Sequence, residues 1–311
     1  MKLAFIIDPI SQLDPGHDTT VALMEAAQAK EHEVWVCELE QLSVVDSTPW
    51  AMLSQVETEP WYTLSQGVLK PLGEMNAVFM RKDPPVNISY LYGTYILDLL
   101  NPQKTLVVNS PAGLRLANEK MYALQFPSLI PATIVSQDKT IIRQFVQEKG
   151  AGVIKPLGGK GGEGILYLSP TDGNFNSLIE ISTHQGREPV MVQEYLPAAK
   201  EGDKRIIMLD GKPIGAVNRI PTGEDFRGNM AVGGRVAATA LTEKDSYICA
   251  TVGAKLRADG LYFVGLDVIG GYLTEVNVTS PTGVREIDRL SHTNLGKQTI
   301  EWLEEKLLIY G

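Results

Sequence analysis

Short, continuous apolar runs alternate with amphipathic segments in the first third of the chain. The runs typical of buried parallel strands are 2–8 (KLAFIID), 33–38 (EVWVCE), 77–82 and 105–110. Between them, Asp18 is placed to cap a helix that runs to about residue 30, and the tract 89–100 has a helical pattern. Strand, helix and strand in succession predict a doubly wound α/β layer. Residues 41–73 show no clear period, and we expect them to be less regular.

A different pattern follows residue 118, near which we place a domain boundary. The elements predicted there are a helix capped by Asp138 and ended by Gly150, a strand–loop–strand unit at 151–168, a helix near 176–184, a strand at 190–196, a hairpin at Asp210-Gly211, a helix at 242–259, a hairpin at Gly270-Gly271 and a helical tail at 293–310. The two hairpins predict antiparallel strands, in contrast to the first part of the chain.

The stretch AGVIKPLGGKGGEGILYL at 151–168 holds the densest group of glycines. A loop with so few Cβ atoms lets backbone N–H groups approach an anion, and Lys155 and Lys160 add positive charge. This chemistry favours phosphate binding. A mobile hairpin without function explains the stretch about equally well when it is taken alone, because short motifs often match by accident.

Two known phosphate motifs do not fit this loop. Gly159, Gly161 and Gly164 match G-x-G-x-x-G, but that fingerprint requires a following helix, whereas 165–168 has the pattern of a strand. A Walker A loop requires Ser or Thr directly after its lysine, and Gly161 follows Lys160. A glycine hairpin with a lysine on its incoming strand remains.

A second group of polar residues lies on the last predicted hairpin. Asp267, Glu275 and Asn277 all offer oxygen ligands, which suits Mg²⁺. A strict two-residue turn would pair Asp267 with Thr274 and turn Glu275 to the other face, so convergence requires a three-residue or bulged turn. A solvated strand face is the alternative; the apolar neighbours make it the weaker one, because an unpaired charge there is costly.

The polar, glycine-rich segment 221–234 is typical of a lid, and three arginines flank or occupy it. Arg219, Arg227 and Arg235 together favour an anion clamp, although each one alone is better explained as a solvated surface residue. We expect this lid to be mobile without ligands.

Composition narrows the function classes. The 311 residues carry a net charge of −9, which argues against a nucleic-acid partner. Cys37 and Cys249 suggest neither a disulfide framework nor a zinc site, and a reducing cytoplasm is the simplest setting. The apolar run at 1–8 is too short for a signal peptide or a membrane span, and we expect no membrane partner. The four histidines have no metal-ligand spacing, and no G-x-S-x-G nucleophile motif is present.

Ten strings of this sequence, in order from end to end, resemble the bacterial-type glutathione synthetases of the ATP-grasp superfamily. They are IIDPI (6–10), MRKDPP (80–85), VNSP (108–111), NEK (118–120), IKPLGGKGG (154–162), QEYLPAAKEGDKR (193–205), RIPTGEDFRGN (219–229), GGR (233–235), FVGLDVIG (263–270) and LTEVNVTSPTGVREI (273–287). The resemblance covers essentially the whole chain and is weakest between residues 40 and 76.

The resemblance implies an ATP-grasp fold with an N-terminal doubly wound parallel-sheet domain at 1–118. An ATP-grasp domain at 119–311 would comprise a small lid subdomain at about 121–189 and a C-terminal antiparallel-sheet subdomain at about 190–311. The implied reaction joins γ-glutamylcysteine and glycine, consumes ATP, and gives glutathione, ADP and phosphate through an acyl phosphate. Mg²⁺, with Mn²⁺ as a substitute, is the implied metal, and the implied assembly is a cytoplasmic homotetramer.

The resemblance also assigns roles to single residues. Nucleotide contacts are implied for Lys120, Lys155, Gly158, Gly159, Lys160, Gly161, Gly162, Gln193, Glu194, Tyr195, Leu196 and Asp203, the last of these on the ribose. The metal ligands are Asp267, Glu275 and Asn277, and the catalytic residues are Arg219 and Arg235. Substrate contacts are implied for Arg81, Lys82, Asn109, Arg227, Asn229, Ser280, Pro281 and Thr282; for Arg81 and Lys82 a surface salt bridge is an equal alternative.

Two other functions stay open. Another ATP-grasp carboxylate–amine ligase, of the D-alanine–D-alanine or glutamate-ligase type, would have the same glycine loop and metal hairpin. A non-catalytic ATP-binding protein would have the same fold, but Arg219, Arg235, Glu275 and Asn277 argue against it.

Overall fold

The computed structural model describes residues 1–222, 228 and 233–310. Residues 309 and 310 are described without their side chains. Its N-terminal part comprises β1 (Lys2–Ile7), α1 (Thr19–Ala29), β2 (Glu33–Glu38), β3 (Leu42–Val45), β4 (Thr48–Glu57), β5 (Thr63–Leu64), β6 (Val68–Pro71), β7 (Ala77–Met80), α2 (Ile88–Leu97), β8 (Leu106–Val108) and α3 (Pro111–Leu116).

The predicted parallel layer is confirmed. Strands β2, β1, β7 and β8 lie side by side and parallel, and β1 is almost entirely buried. The rings of Phe5 and Phe79 stack across neighbouring strands at 4.7 Å between centroids. Asp18 caps α1 as predicted, because its Oδ1 accepts a hydrogen bond of 2.6 Å from the backbone N–H of Thr20.

The segment 41–73 is more regular than its sequence suggested. It forms the antiparallel strands β3 to β6, which extend the parallel sheet beyond β2. Several apolar side chains on these strands are exposed, so neither burial nor a clean alternation reveals them in the sequence.

A four-stranded antiparallel sheet forms the lid subdomain. Its elements are β9 (Thr133–Ser136), α4 (Lys139–Lys149), β10 (Gly152–Pro156), β11 (Leu166–Leu168), α5 (Phe175–Ser182) and β12 (Val190–Glu194). The expected end of this subdomain at residue 189 is wrong, because β12 pairs with both β9 and β10 inside the lid sheet. The lid therefore extends at least to Glu194.

A five-stranded antiparallel sheet forms the C-terminal subdomain. Its elements are β13 (Asp203–Leu209), β14 (Lys212–Ile220), β15 (Arg235–Ala238), α6 (Glu243–Ala258), β16 (Phe263–Ile269), β17 (Tyr272–Asn277), α7 (Val284–Ser291) and α8 (Leu295–Tyr310). The strand order is β15-β14-β13-β16-β17, and both predicted hairpins are present. Helix α8 returns to pack on α1 and so joins the C-terminal subdomain to the N-terminal sheet. Within the described residues, no helix has the length and apolar character needed to cross a membrane.

Candidate active site

The hairpin of β16 and β17, which carries the expected metal ligands, contains a bulge that brings them to one face. The turn at Gly270-Gly271 has two residues, since Ile269 pairs with Tyr272, but the register shifts between Asp267 and Val268. Asp267 therefore lies opposite Glu275 instead of Thr274. Glu275 and Asn277 are two residues apart and share a face, so all three side chains line one cavity of about 640 Å³.

Two arginines hold the carboxylate of Asp267. Arg205 donates to it from Nε at 2.6 Å and from the guanidinium nitrogen Nη2 at 3.1 Å, and Arg219 approaches it to 3.0 Å. Burial raises the pKa of Asp267, but the guanidinium groups outweigh burial and hold this pKa well below its usual range. Asp267 is therefore a fixed anion in the cavity wall.

Arg219 also joins Asp267 to the neighbouring strand. Its Nη2 lies 2.5 Å from Oδ2 of Asp203, with which it pairs across β13 and β14. Burial raises the pKa of Asp203 to about 6. The Arg219 guanidinium opposes this rise in pKa, and the Asp267 carboxylate adds to it. The second oxygen of Asp203, Oδ1, is buried and has no hydrogen-bond partner among the described residues, so it is a candidate acceptor for a ligand.

Lys120 connects the glycine loop to the metal hairpin. Its Nζ lies 3.0 Å from Oε1 of Glu275 and donates to the carbonyl of Gly159 at 2.9 Å. This lysine is only 3 % exposed, although it lies on an irregular segment between α3 and a 3₁₀ helix at 121–125. Lys120 is therefore a buried cation at the centre of the cavity.

The strand–loop–strand reading of 151–168 is confirmed by the antiparallel pairing of β10 and β11. Gly161, Gly162 and Gly164 adopt positive φ, which favours glycine. Residues 159–163 line the 640 Å³ cavity. Lys160 points across it and forms an ion pair of 2.9 Å with Asp83 of the N-terminal domain.

A second pocket lies between the lid and the C-terminal sheet. It is lined by the expected nucleotide residues Lys155, Gln193, Glu194, Tyr195, Leu196 and Asp203. Lys155 donates to Oε1 of Gln193 at 2.6 Å. Burial lowers the pKa of Lys155, and the Glu275 carboxylate opposes this effect. The pocket meets the larger cavity at Asp267 and Glu275, which line both.

The N-terminal residues expected at the substrate differ in their placement. Arg81 is 4 % exposed and donates to the hydroxyl of Thr20 and to the carbonyl of Pro281, so it is not a surface salt bridge. Lys82 forms a half-buried ion pair with Asp8, which resembles the surface salt bridge that was the expected alternative to a substrate contact. Arg81 therefore holds Pro281 in the wall of the large cavity. Among the described residues, no contact places Lys82 in that wall.

Asn109 is bonded to backbone groups and lines neither of these two cavities as far as the described residues define them, so its expected substrate contact stays a prediction. Its amide donates to the carbonyls of Phe263 and Val278, at 2.9 and 2.7 Å, and accepts from the N–H of Phe263 at 2.8 Å. These three contacts tie the N-terminal sheet to the C-terminal hairpin, which gives Asn109 a structural role.

The remaining expected residues divide into three groups. Ser280, Pro281 and Thr282 line the large cavity as expected. Arg235 lies on the edge strand β15, is exposed, and does not line either cavity as far as the described residues define them. Arg227 and Asn229, with most of the expected lid at 221–234, lie outside the described residues.

Three features of the site were not predicted from the sequence. Arg205 lies in the string QEYLPAAKEGDKR, but its partner Asp267 is 62 residues away. Glu119, between Asn118 and Lys120, lines the large cavity; burial and the nearby Glu275 raise its pKa. A third pocket of about 480 Å³ is lined by Gln12, Asp14, His17, Asp18, Gly234, Val236, Thr282, Glu286 and Arg289.

The donor set fits a hard divalent cation. Among the described residues, no group of three or more His, Cys, Asp and Glu could hold a metal, so a site here relies on the amide oxygen of Asn277 besides two carboxylates. The side-chain N–H of Asn277 donates to the carbonyl of Gly265 at 3.2 Å. This orientation leaves the side-chain oxygen to act as a ligand. Two carboxylate oxygens and an amide oxygen on one face suit Mg²⁺ better than softer metals.

Comparison with known proteins agrees with this arrangement. A family model for the N-terminal domain of prokaryotic glutathione synthetase matches residues 1–115, and one for its ATP-grasp domain matches residues 119–292. The chain is 65% identical to a glutathione synthetase of Thermosynechococcus vestitus, covering 97% of this chain and 99% of the relative. It is 44% identical to that of Coxiella burnetii, covering 98% of this chain and 97% of the relative.

Solved structures support the fold at lower identity. The D-cycloserine synthetase DcsG superposes with a TM-score of 0.69 at 16% identity, covering 99% of this chain and 100% of the other. The ATP-grasp ligase PsnB, complexed with minimal precursor, Mg and ADP, gives a TM-score of 0.64 at 15% identity over 98% of both chains. These similarities establish the ATP-grasp fold, and with both domain matches the chain belongs to the prokaryotic glutathione synthetase family.

Proposed function

We propose that this chain joins γ-glutamylcysteine to glycine and consumes ATP, giving glutathione, ADP and phosphate. The observation that carries the proposal is one cavity in which an oxygen-ligand triad, three buried cations and a glycine loop converge beside a pocket lined by the expected nucleotide residues. The relatives named glutathione synthetase, matched over nearly the whole chain, support the choice of substrates.

The chemistry explains why such a cavity is needed. A carboxylate is a poor electrophile, and transfer of the γ-phosphoryl group to it gives an acyl phosphate that an amine can attack. The carbonyl carbon then forms a C–N bond, and phosphate leaves with the electron pair of the broken C–O bond. Catalysis of this kind depends on positioning and on stabilising the charge of the transferred group.

Lys120, Arg205 and Arg219 are the groups that we assign to this stabilisation. Each is buried and aimed into the cavity by a carboxylate, so its charge is fixed before substrates arrive. Fixed cations need no reorganisation during the reaction, which makes them effective at a developing negative charge. Arg235 stays a candidate for the same role only if it moves from its exposed position.

We assign the nucleotide to the pocket between the lid and the C-terminal sheet because of the residues that line it. Lys155 and the loop at 158–162 would contact phosphates, and the strand residues 193–196 would border the base. Oδ1 of Asp203 is a buried acceptor without a partner among the described residues, and a ribose hydroxyl would supply the missing donor. This supports the expected ribose contact of Asp203.

Asp267, Glu275 and Asn277 would hold Mg²⁺, for which Mn²⁺ is the natural substitute. The bound cation supplies neutralisation of phosphate charge. The surrounding residues keep its ligands in place: Arg205 and Arg219 orient Asp267, and Lys120 orients Glu275.

The 480 Å³ pocket suits the γ-glutamyl end of the dipeptide, which carries an ammonium and a carboxylate. Glu286 is only 2 % exposed, and within the described part of the chain its Oε2 is buried without a partner, so it is suited to accept from the ammonium. Arg289 in the same pocket is the natural partner of the carboxylate. Thr282 lines both this pocket and the large cavity and would lie beside the middle of the substrate.

The cellular setting and the assembly are also proposals. Cys37 and Cys249 are buried free thiols, which suits a reducing cytoplasm. A homotetramer rests on the family resemblance, and sedimentation equilibrium would test it.

The proposal is tested by phosphate release from ATP and Mg²⁺ with different substrate pairs. We expect release with γ-glutamylcysteine that depends on glycine and equals the tripeptide formed. Release with D-alanine or glutamate acceptors alone would favour the other ligases, and ATP binding without any release would favour a non-catalytic protein.

A further inference from the structure

The carboxylate of Glu119 is held by one of its two oxygens. Oε1 accepts three hydrogen bonds: from the N–H of Val278 at 2.9 Å, from the N–H of Thr279 at 3.0 Å, and from the hydroxyl of Thr279 at 2.8 Å. The backbone carbonyl of Glu119 accepts a further bond of 3.0 Å from Val276. The side chain is thereby locked along the end of β17.

The other oxygen has no such partner. Among the residues that the structure describes, none donates a hydrogen bond to Oε2, and Glu119 forms part of the wall of the 640 Å³ cavity. A carboxylate fixed by three donors on one oxygen therefore presents its second oxygen to the reaction cavity. Such preorganisation is typical of a group that binds a ligand.

Among the described residues, Glu119 also lacks the cation that three other carboxylates of this wall possess. The pairs in the described part of the cavity are Asp83 with Lys160, Glu275 with Lys120, and Asp267 with Arg205 and Arg219. Lys120, next to Glu119 in sequence, is committed to Glu275 and to the carbonyl of Gly159. A partly buried anion without a cation is costly, and a cationic ligand group would remove that cost.

One substrate of the proposed reaction brings this cation. The acceptor amino acid arrives as an ammonium ion, and its nitrogen must lose a proton before it can attack. Glu119 anchors Thr279, directly before the Ser280–Thr282 wall for which substrate contacts are implied, and we assign the acceptor to this wall. Its free oxygen thus lies in the same wall as the expected acceptor site.

We propose that Oε2 of Glu119 binds the ammonium group of the acceptor amino acid and takes the proton that this group loses. The nitrogen lone pair then forms the C–N bond, the C–O bond to phosphate breaks, and phosphate leaves with the bonding electrons and takes up the second proton that the nitrogen loses. This assignment rests on the proposed ligase function.

Glu119→Gln tests the assignment, because glutamine keeps the shape and an acceptor oxygen but removes the charge. We expect kcat/KM for glycine to fall about 10²- to 10⁴-fold, the usual contribution of a proton acceptor, with the KM values of ATP and γ-glutamylcysteine unchanged. Hydroxylamine, which is neutral at neutral pH, needs no such acceptor. Its capture of the acyl phosphate as a hydroxamate should stay within a few-fold of wild type.

The hydroxamate assay separates this role from two others. If Glu119 instead bound the metal or merely positioned β17, acyl-phosphate formation would fail, and both the glycine and hydroxylamine reactions would be lost together. That result, or an unchanged kcat/KM for glycine, would overturn the proposal. Glu180→Gln, which removes a carboxylate paired with Lys139 on the lid surface, is the matched control and should retain wild-type kinetics.

A second variant covers the case in which Glu119→Gln does not fold. Thr279→Val removes one of the three donors to Oε1, so the carboxylate is less fixed but keeps its charge. We expect a several-fold rise in the KM of glycine with hydroxamate formation unchanged, and an unchanged KM would contradict the proposal. Wild-type protein that releases no phosphate with γ-glutamylcysteine would contradict the proposed function itself, a different failure.

Discussion

Arg219→Met would leave two buried carboxylates facing each other without the cation that now lies between them. The Arg219 guanidinium is 3.0 Å from Oδ2 of Asp267 and 2.5 Å from Oδ2 of Asp203, and the arginine is only 3 % exposed. Asp267 keeps Arg205 as a partner, but Asp203 has no other ion pair in the described part of the chain. The variant therefore isolates the charge of Asp203.

The expected loss of stability follows from burial. Removing one partner of a buried ion pair costs about 3–5 kcal/mol, because the remaining charge is uncompensated. A domain of this size loses about 2–4 °C of melting temperature per kcal/mol, so the melting temperature should fall by roughly 6–20 °C. Loss of a surface pair such as Lys139 with Glu180 should cost at most about 1 kcal/mol.

The loss should depend on pH. The folded pKa of Asp203 is about 6, above the ordinary value of 3.8, so the folded state binds more protons than the unfolded state in this window. The contribution of Asp203 to the free energy of unfolding therefore grows as the pH falls from about 6 to 3.8. Without Arg219, which lowers the pKa of Asp203, the folded pKa rises further. The gap between variant and wild type should therefore be widest at alkaline pH and narrow as the pH falls below about 6.

Thermal melting followed by tryptophan fluorescence, without nucleotide or metal, measures this gap across the pH range. The double variant Arg219→Met/Asp203→Asn is the control, because it removes the charge that the single variant leaves unpaired. It should recover at least half of the lost stability. The reasoning would be refuted if Arg219→Met had the melting temperature of wild type at alkaline pH. It would also be refuted if the difference between the two melting temperatures widened as the pH falls.

Three further changes probe the site and its frame. Glu275→Gln should abolish ligation but leave the melting temperature within a few degrees, and near-normal turnover would remove Glu275 from the metal site. Lys155→Met should raise the KM of ATP more than tenfold, since it removes a buried cation that contacts Gln193 at 2.6 Å; a change confined to the KM of glycine would contradict this placement. Gly253→Ala would place a Cβ 2.1 Å from the carbonyl of Gly211, so the free energy of unfolding should fall by at least about 1–3 kcal/mol in urea titrations, and an unchanged midpoint would show that the hairpin can shift.

Local patterns predicted the elements that carry the site. The apolar runs gave the parallel strands, and the cap at Asp18 and the hairpin at Gly270-Gly271 were read from single residues. The bulge was required by the chemistry of Asp267 and Glu275, but its form was open. The turn itself has two residues, and Thr274 is the extra residue, with its hydroxyl donating to the carbonyl of Asp267 at 3.2 Å.

Long-range contacts could not be predicted in the same way. Arg205 meets Asp267 and Glu119 meets Thr279 only after the sheets assemble, and the two members of each pair are 62 and 160 residues apart. Asn109 is the opposite case, because a polar residue in a substrate-like string satisfies the backbone groups of Phe263 and Val278. Sequence gives the chemical type of a buried amide but does not show which groups it meets.

The transfer of oxygen from substrate to phosphate tests the central claim most directly. γ-Glutamylcysteine labelled with heavy oxygen in its cysteinyl carboxylate is incubated with ATP, magnesium, glycine and the protein, and the phosphate is examined by mass spectrometry. Ligation through an acyl phosphate predicts one heavy oxygen in each phosphate released, in step with the glutathione formed. Unlabelled phosphate, or labelled phosphate without glutathione, would contradict the account.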